Sequence, residues 1–128
     1  MSMNLPTLDY VILLCEDLAV MKAFYHETLG IPIERDWGEW IEMRLGAVLL
    51  TVRKRGRPYD GATPPSAGVQ LAFRVELNEV DAWHTDLLRK QVEILEPPRD
   101  QGYGHRTLFF RDPEGNILEI YADLQSSQ

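Results

Sequence analysis

One order of elements recurs along this chain, a strand, a helix and then three strands, and it constrains the fold more than any single motif. Leu8 to Cys15 is apolar on both alternating faces, as in a strand covered on both sides. Glu16-Asp17 then opens a helical pattern in which Leu18, Met21, Tyr25 and Leu29 stand about one turn apart. Asp17 is the expected N-cap and Gly30 the expected stop, with Pro32 just beyond it. Three short strands are predicted near residues 33–37, 40–45 and 47–52. The order then begins again. A strand is predicted over 69–75, and Asn78 is the expected cap of a helix holding Val80, Trp83, Leu87 and Leu88. Strands over 92–95, 105–111 and 116–122 follow, the last two joined by Asp112-Pro-Glu-Gly115. That tetrapeptide specifies a tight turn, because proline fixes φ and glycine supplies a positive φ.

Neither sheet of about four strands could bury both of its faces alone. The 128 residues therefore read as one α+β domain of two paired βαβββ modules, about 8–52 and about 68–123. Between them, about 53–67 carries Pro58, Pro64 and Pro65 and reads as a linker. Charge narrows the choice of partners. Thirteen basic and 20 acidic residues leave −7, with seven against nine up to Asp60 (−2) and six against eleven beyond it (−5). Neither half is basic, which argues against a phosphate backbone as partner, since that affinity comes from neutralising phosphates. The one basic cluster, Arg53-Lys-Arg-Gly-Arg57, is expected to be part of a solvated linker, with attraction of an anionic substrate as the other reading.

The longest apolar run, Tyr10 to Cys15, is far below the ~20 residues that span a bilayer. The start, Met-Ser-Met-Asn-Leu-Pro, lacks the pattern of a signal peptide. Cys15 is the single cysteine and sits in an apolar run, so a buried thiol and a reducing, cytoplasmic location are expected.

The segment Arg111-Asp-Pro-Glu-Gly-Asn-Ile-Leu-Glu-Ile-Tyr121 resembles the vicinal oxygen chelate superfamily, which holds glyoxalase I, bleomycin-resistance proteins, fosfomycin-resistance transferases and extradiol dioxygenases. Leu8-Asp-Tyr-Val-Ile-Leu13, with Asp17-Leu, Phe24-Tyr and Leu29-Gly30 after it, resembles the opening module of that family, and Val69-Gln-Leu-Ala-Phe-Arg-Val75 the start of its second. The resemblance implies the glyoxalase/bleomycin resistance/dioxygenase fold, a curled mixed sheet around a cleft, commonly in a homodimer. It also implies that in the family's enzymes a divalent metal in the cleft chelates vicinal oxygens of the substrate. The family's four ligand positions align here with Tyr10, Leu50, Gln70 and Glu119. Leucine has no lone pair to offer, and tyrosine ligates only as a phenolate, which its solution pKa near ~10 makes costly. No metal is therefore expected; if one binds, Glu119, Gln70 and Tyr10 are the candidate ligands.

Residues two apart on a strand share a face. On that rule Tyr10, Ile12 and Leu14, then Val48, Leu50 and Val52, then Gln70, Ala72 and Arg74, then Ile117, Glu119 and Tyr121 are expected to line the cleft. Val11, Leu13, Leu71, Phe73, Leu118 and Ile120 are expected to pack under the helices. The expected ligand-binding residues are Tyr10, Ile12, Leu50, Gln70, Arg74, Tyr103 and Tyr121, apolar walls with a few polar points. Glu119 is the candidate general base, metal ligand or counter-ion, or else a carboxylate merely hydrogen-bonded to Tyr10 or Gln70. His105 is a second candidate acid–base group at the cleft mouth, whereas His26 is expected to be exposed and His84 partly solvated on its helix. Trp37, Trp40, Tyr59 and Tyr103 are expected in loops or at strand ends, stacking on a planar or cationic ligand or filling a dimer interface.

Together these features predict a small-molecule-binding protein similar to the bleomycin-resistance proteins, holding a hydrophobic or aromatic ligand. The alternatives are a metal-dependent lyase, isomerase or dioxygenase with an atypical site, and a metal-independent acid–base enzyme using Glu119.

Overall fold

The structure, a computed structural model, describes residues 3–58, 60 and 68–124. Tyr59 and the part of the expected linker over 61–67 lie outside the described residues. The chain divides into two compact units, Met1–Thr63 and Pro64–Gln128. Each carries the order strand, helix, three strands.

In the first unit, β1 (Tyr10–Cys15) leads to α1 (Leu18–Lys22), then β2 (Ile33–Asp36), β3 (Trp40–Leu45) and β4 (Val48–Lys54). Asp17 caps α1 as expected: its extended backbone and Oδ1, accepting from Val20 N at 3.2 Å, satisfy a first-turn amide. The helical segment departs from expectation after Lys22. Ala23–Thr28 is π-helical, with Leu29 N donating to Phe24 O at 3.0 Å. The wider turn keeps Met21, Phe24 and Tyr25 all buried, and the segment ends before Gly30 at φ +77°. His26 is half-buried rather than exposed, because its Nδ1 lies 2.8 Å from the Ile31 carbonyl, which can only accept. The sheet runs β1-β4-β3-β2, with β1 and β4 parallel and the remaining pairs antiparallel.

In the second unit, β5 (Gln70–Arg74) leads to α2 (Leu77–Arg89), then β6 (Ile94–Asp100), β7 (His105–Arg111) and β8 (Ile117–Asp123). Glu76, not Asn78, caps α2. The Glu79 carboxylate reaches back 2.9 Å to the Glu76 amide, which starts the helix earlier than the asparagine suggests. The sheet runs β5-β8-β7-β6, again with its first pair parallel. Strand β6 extends well past the predicted 92–95 and contains Pro97 and Pro98. It is an edge strand whose register shifts on both sides of Glu96, so the missing proline amides cost no ladder bond on a second side.

The turn between β7 and β8 forms as predicted. Asp112 Oδ1 accepts from the amides of Glu114 and Asn116, each at 2.9 Å, and Oδ2 accepts from Asn116 Nδ2 at 3.0 Å. Gly115 closes it at φ +91°. Among the described residues, no helix is long and apolar enough to cross a membrane.

Candidate functional site

Each sheet buries one face under its helical segment and leaves the other to be read as a site. In the second unit the parity follows the sequence expectation. Gln70, Ala72 and Arg74 pair in register with Ile117, Glu119 and Tyr121, while Leu118 and Ile120 are buried on the opposite face. Across β8, Tyr121 faces Thr107 and Asp123 faces His105. The result is a connected row of groups. The His105 and Tyr121 rings stack at 4.6 Å, and Tyr103 meets His105 edge-on at 5.4 Å. The Arg74 guanidinium lies 5.0 Å from the Tyr121 ring centre and 2.5 Å from Asp123 Oδ2. Asp123 and Tyr121 beside it favour the charged guanidinium and raise its pKa. His105 Nε2 stands 3.4 Å from Asp123 Oδ1. Gln70 donates to Glu119 Oε1 at 3.4 Å.

The first unit requires a correction. The register of β1 with β4 pairs Tyr10 with Leu49, Val11 with Leu50 and Ile12 with Thr51. Leu50 therefore shares a face with Val11 and Leu13 and is a buried core residue, not a companion of Tyr10. Val48 and Val52 move with it. The open face instead carries Tyr10, Ile12 and Leu14 from β1, Leu49, Thr51 and Arg53 from β4, and Trp40, Glu42 and Arg44 from β3. Glu119 lies two residues beyond the register partner of Gln70, and the same offset from the partner of Tyr10 falls on Thr51.

Glu42 was not anticipated. It is only 2% exposed, although Tyr10 and Ile12 on the same face are each 40% exposed. Its Oε2 accepts from the Trp40 indole Nε1 at 2.8 Å, and its Oε1 is buried with no hydrogen-bond partner. The Tyr10 ring lies 6.3 Å from that of Trp40. A buried polar atom left unpaired is costly, so an orphaned carboxylate oxygen beside the Trp40 ring marks a place for a donor. The signal was present in the strand Trp40-Ile-Glu-Met-Arg-Leu45, where Ile41 and Met43 are apolar and Trp40, Glu42 and Arg44 alternate with them.

With Thr51 in place of Leu50, the four family positions offer a phenol, a hydroxyl, an amide and one carboxylate. Divalent catalytic sites generally use about three imidazole, carboxylate or thiolate ligands. Among the described residues, no three His, Cys, Asp or Glu side chains are grouped so as to hold a metal ion.

Comparison with known proteins gives the family. Residues 7–120 match the model of the Glyoxalase/Bleomycin resistance protein/Dioxygenase superfamily. The chain belongs to that superfamily. It is 28% identical over 123 residues to the protein YraH of Bacillus subtilis, covering 85% of this chain and 92% of the relative. It is 24% identical over 126 residues to the virulence protein STM3117 of Salmonella typhimurium, covering 93% and 85%. A crystal structure of a glyoxalase/bleomycin resistance protein/dioxygenase from Nocardioides shares the fold at TM-score 0.84 and 22% identity, over 99% of this chain and 89% of that one.

Proposed function

We propose that this chain is a small-molecule-binding member of the superfamily that holds a hydrophobic or aromatic ligand without a metal ion. The observation that carries this reading is the open face of the first unit. Exposed Tyr10 and Ile12 offer apolar contact, Trp40 is held by its indole bond, and Glu42 keeps an unpartnered oxygen. A flat ligand carrying an N–H donor, cationic or neutral, suits that combination: the ring covers Tyr10 and Trp40, and the donor satisfies Glu42. The donor set at the four family positions supports binding over metal chemistry. The reading includes a homodimer, which sedimentation equilibrium measures directly.

Two measurements test it. Protein purified without chelator is expected to carry no stoichiometric metal, and benzamidine or tryptamine is expected to raise the melting temperature in a way that Glu42→Gln removes. Stoichiometric zinc, nickel, iron or manganese, lost on Glu119→Ala, would overturn the metal-free reading in favour of a metal-dependent lyase, isomerase or dioxygenase. Absence of any shift across such aromatic donors would overturn the binding reading.

A further inference from the structure

Glu42 has an oppositely charged residue directly across from it on the open face of the first unit. The register of β2 with β3 sets Arg35 opposite Glu42, and the Trp37 amide donates to the Trp40 carbonyl at 3.1 Å. Residues directly opposite across an antiparallel pair share a face. Arg35 and Trp37 therefore stand on the face that carries Glu42 and Trp40, and Trp37 is 64% exposed.

Opposite charges in register ordinarily pair, and these two do not. The register of β2 shifts between Ile33 and Arg35, an irregularity of the kind that re-aims side chains. The Arg35 guanidinium lies 5.7 Å from the centre of the Trp37 ring, while Glu42 is bonded to the Trp40 indole at 2.8 Å. Each charge thus rests on its own tryptophan. Nearby groups are committed elsewhere. Arg44, two residues along from Glu42, gives Nε and Nη2 to the two oxygens of Glu34, at 3.0 and 2.8 Å. Glu42 and Tyr10 favour the Arg44 charge through space, and Arg35 favours the Glu34 carboxylate, yet the bonds stay between Arg44 and Glu34. Among the described residues, no carboxylate is in ion-pair contact with Arg35 and no cation with Glu42.

The face therefore presents one cation and one anion on adjacent strands, held apart among aromatic rings. Adjacent strands lie about 4.8 Å apart, so one small molecule can span both charges. A ligand that is only a cation gains Glu42 but is repelled by Arg35, and one that is only an anion meets the reverse. A molecule with an ammonium and a carboxylate satisfies both at once.

We infer that the ligand of this face is a zwitterion of the aromatic amino-acid class, its ammonium on Glu42, its carboxylate on Arg35 and its ring against Trp37 and Trp40. The inference rests on the proposed Glu42 face and adds the second charge to it.

The test is calorimetric titration of the full chain with tryptophan, tryptamine and indole-3-propionate, which share one ring and carry both charges, the cation alone and the anion alone. Tryptophan is expected to bind tightest, by about fivefold or more over tryptamine, with indole-3-propionate weakest. Arg35→Gln, its fold checked by circular dichroism, is expected to bring tryptophan down to the level of tryptamine without weakening tryptamine. Tryptamine or indole-3-propionate binding the unchanged chain as tightly as tryptophan would overturn the zwitterion assignment while the Glu42 face stands. So would a variant that loses tryptophan and tryptamine alike or neither. Failure of both tryptophan and tryptamine to bind would overturn the Glu42 face itself, and this inference with it.

Discussion

The Trp40 indole Nε1 donates at 2.8 Å to Glu42 Oε2, two residues along one strand, and the other carboxylate oxygen has no partner. The pair therefore holds a charge in a nearly dry place with half of its hydrogen-bonding capacity unused. Such an arrangement destabilises the free protein and favours anything that supplies the missing donor. Glu42→Gln keeps an oxygen for the indole and replaces an orphaned anionic acceptor with a neutral amide. The expected outcome is a rise in unfolding free energy of about 1 kcal/mol, together with loss of binding of aromatic N–H donors. Denaturant titration beside a thermal-shift series checks both halves; a fall in stability would show that the charge is compensated.

The register of β1 with β4 separates Leu50 from Thr51. Leu50→Ala empties core volume and is expected to cost about 2–5 kcal/mol. Thr51→Val is near-isosteric and removes only a weak 3.4 Å bond to the Leu49 carbonyl, so it is expected to leave stability within about 1 kcal/mol of wild type. Urea unfolding of the two variants gives the comparison, and reversed effects would mean that the register is shifted by one residue.

Asp112 organises the turn between β7 and β8 by accepting from two amides and one side-chain nitrogen. Asp112→Ala leaves those donors without that acceptor, among them both nitrogens of the buried Asn116. A loss of about 2–3 kcal/mol is expected in equilibrium unfolding.

Acid stability follows from Asp60. The Arg53 guanidinium, and then the Gly56 and Arg57 amides, hold its carboxyl far below the usual carboxylate range. A carboxyl depressed in the folded state stabilises fully above its unfolded value, about 3.9, and that contribution is lost as pH falls from there toward the folded value. Between pH 7 and about 5 this group is expected to contribute no slope. Below about pH 4 the wild type is expected to lose stability more steeply than Asp60→Asn, as melting temperatures recorded down the acid range would show.

Much of the fold was legible because its signals are local. Asp17 before an apolar helical stripe, and Asp-Pro-Glu-Gly between two strands, act over three or four residues and formed as read. The parity of Gln70 with Arg74, and of Glu119 with Tyr121, was legible because the residues between them differ in polarity and burial from their neighbours. The candidate site of the first unit was not. Val48-Leu-Leu-Thr-Val52 is apolar at nearly every position, so no alternation marks which residues face which way. The cap of α2 was missed for a related reason: Asn78 is a common capping residue, but Glu79 reaching back to Glu76 prevailed.

By itself, the sequence determined two βαβββ modules, the turn between β7 and β8, and the family to which the chain belongs. The tertiary structure decided three things that strand pairing and loop closure control. It placed Thr51 rather than Leu50 on the open face that Tyr10 shares, it buried Glu42 with one oxygen unmet, and it folded Arg53–Arg57 around Asp60 beside a cavity. Each depends on which residue of one segment lies against which residue of another. A local pattern of side chains carries no information about that register.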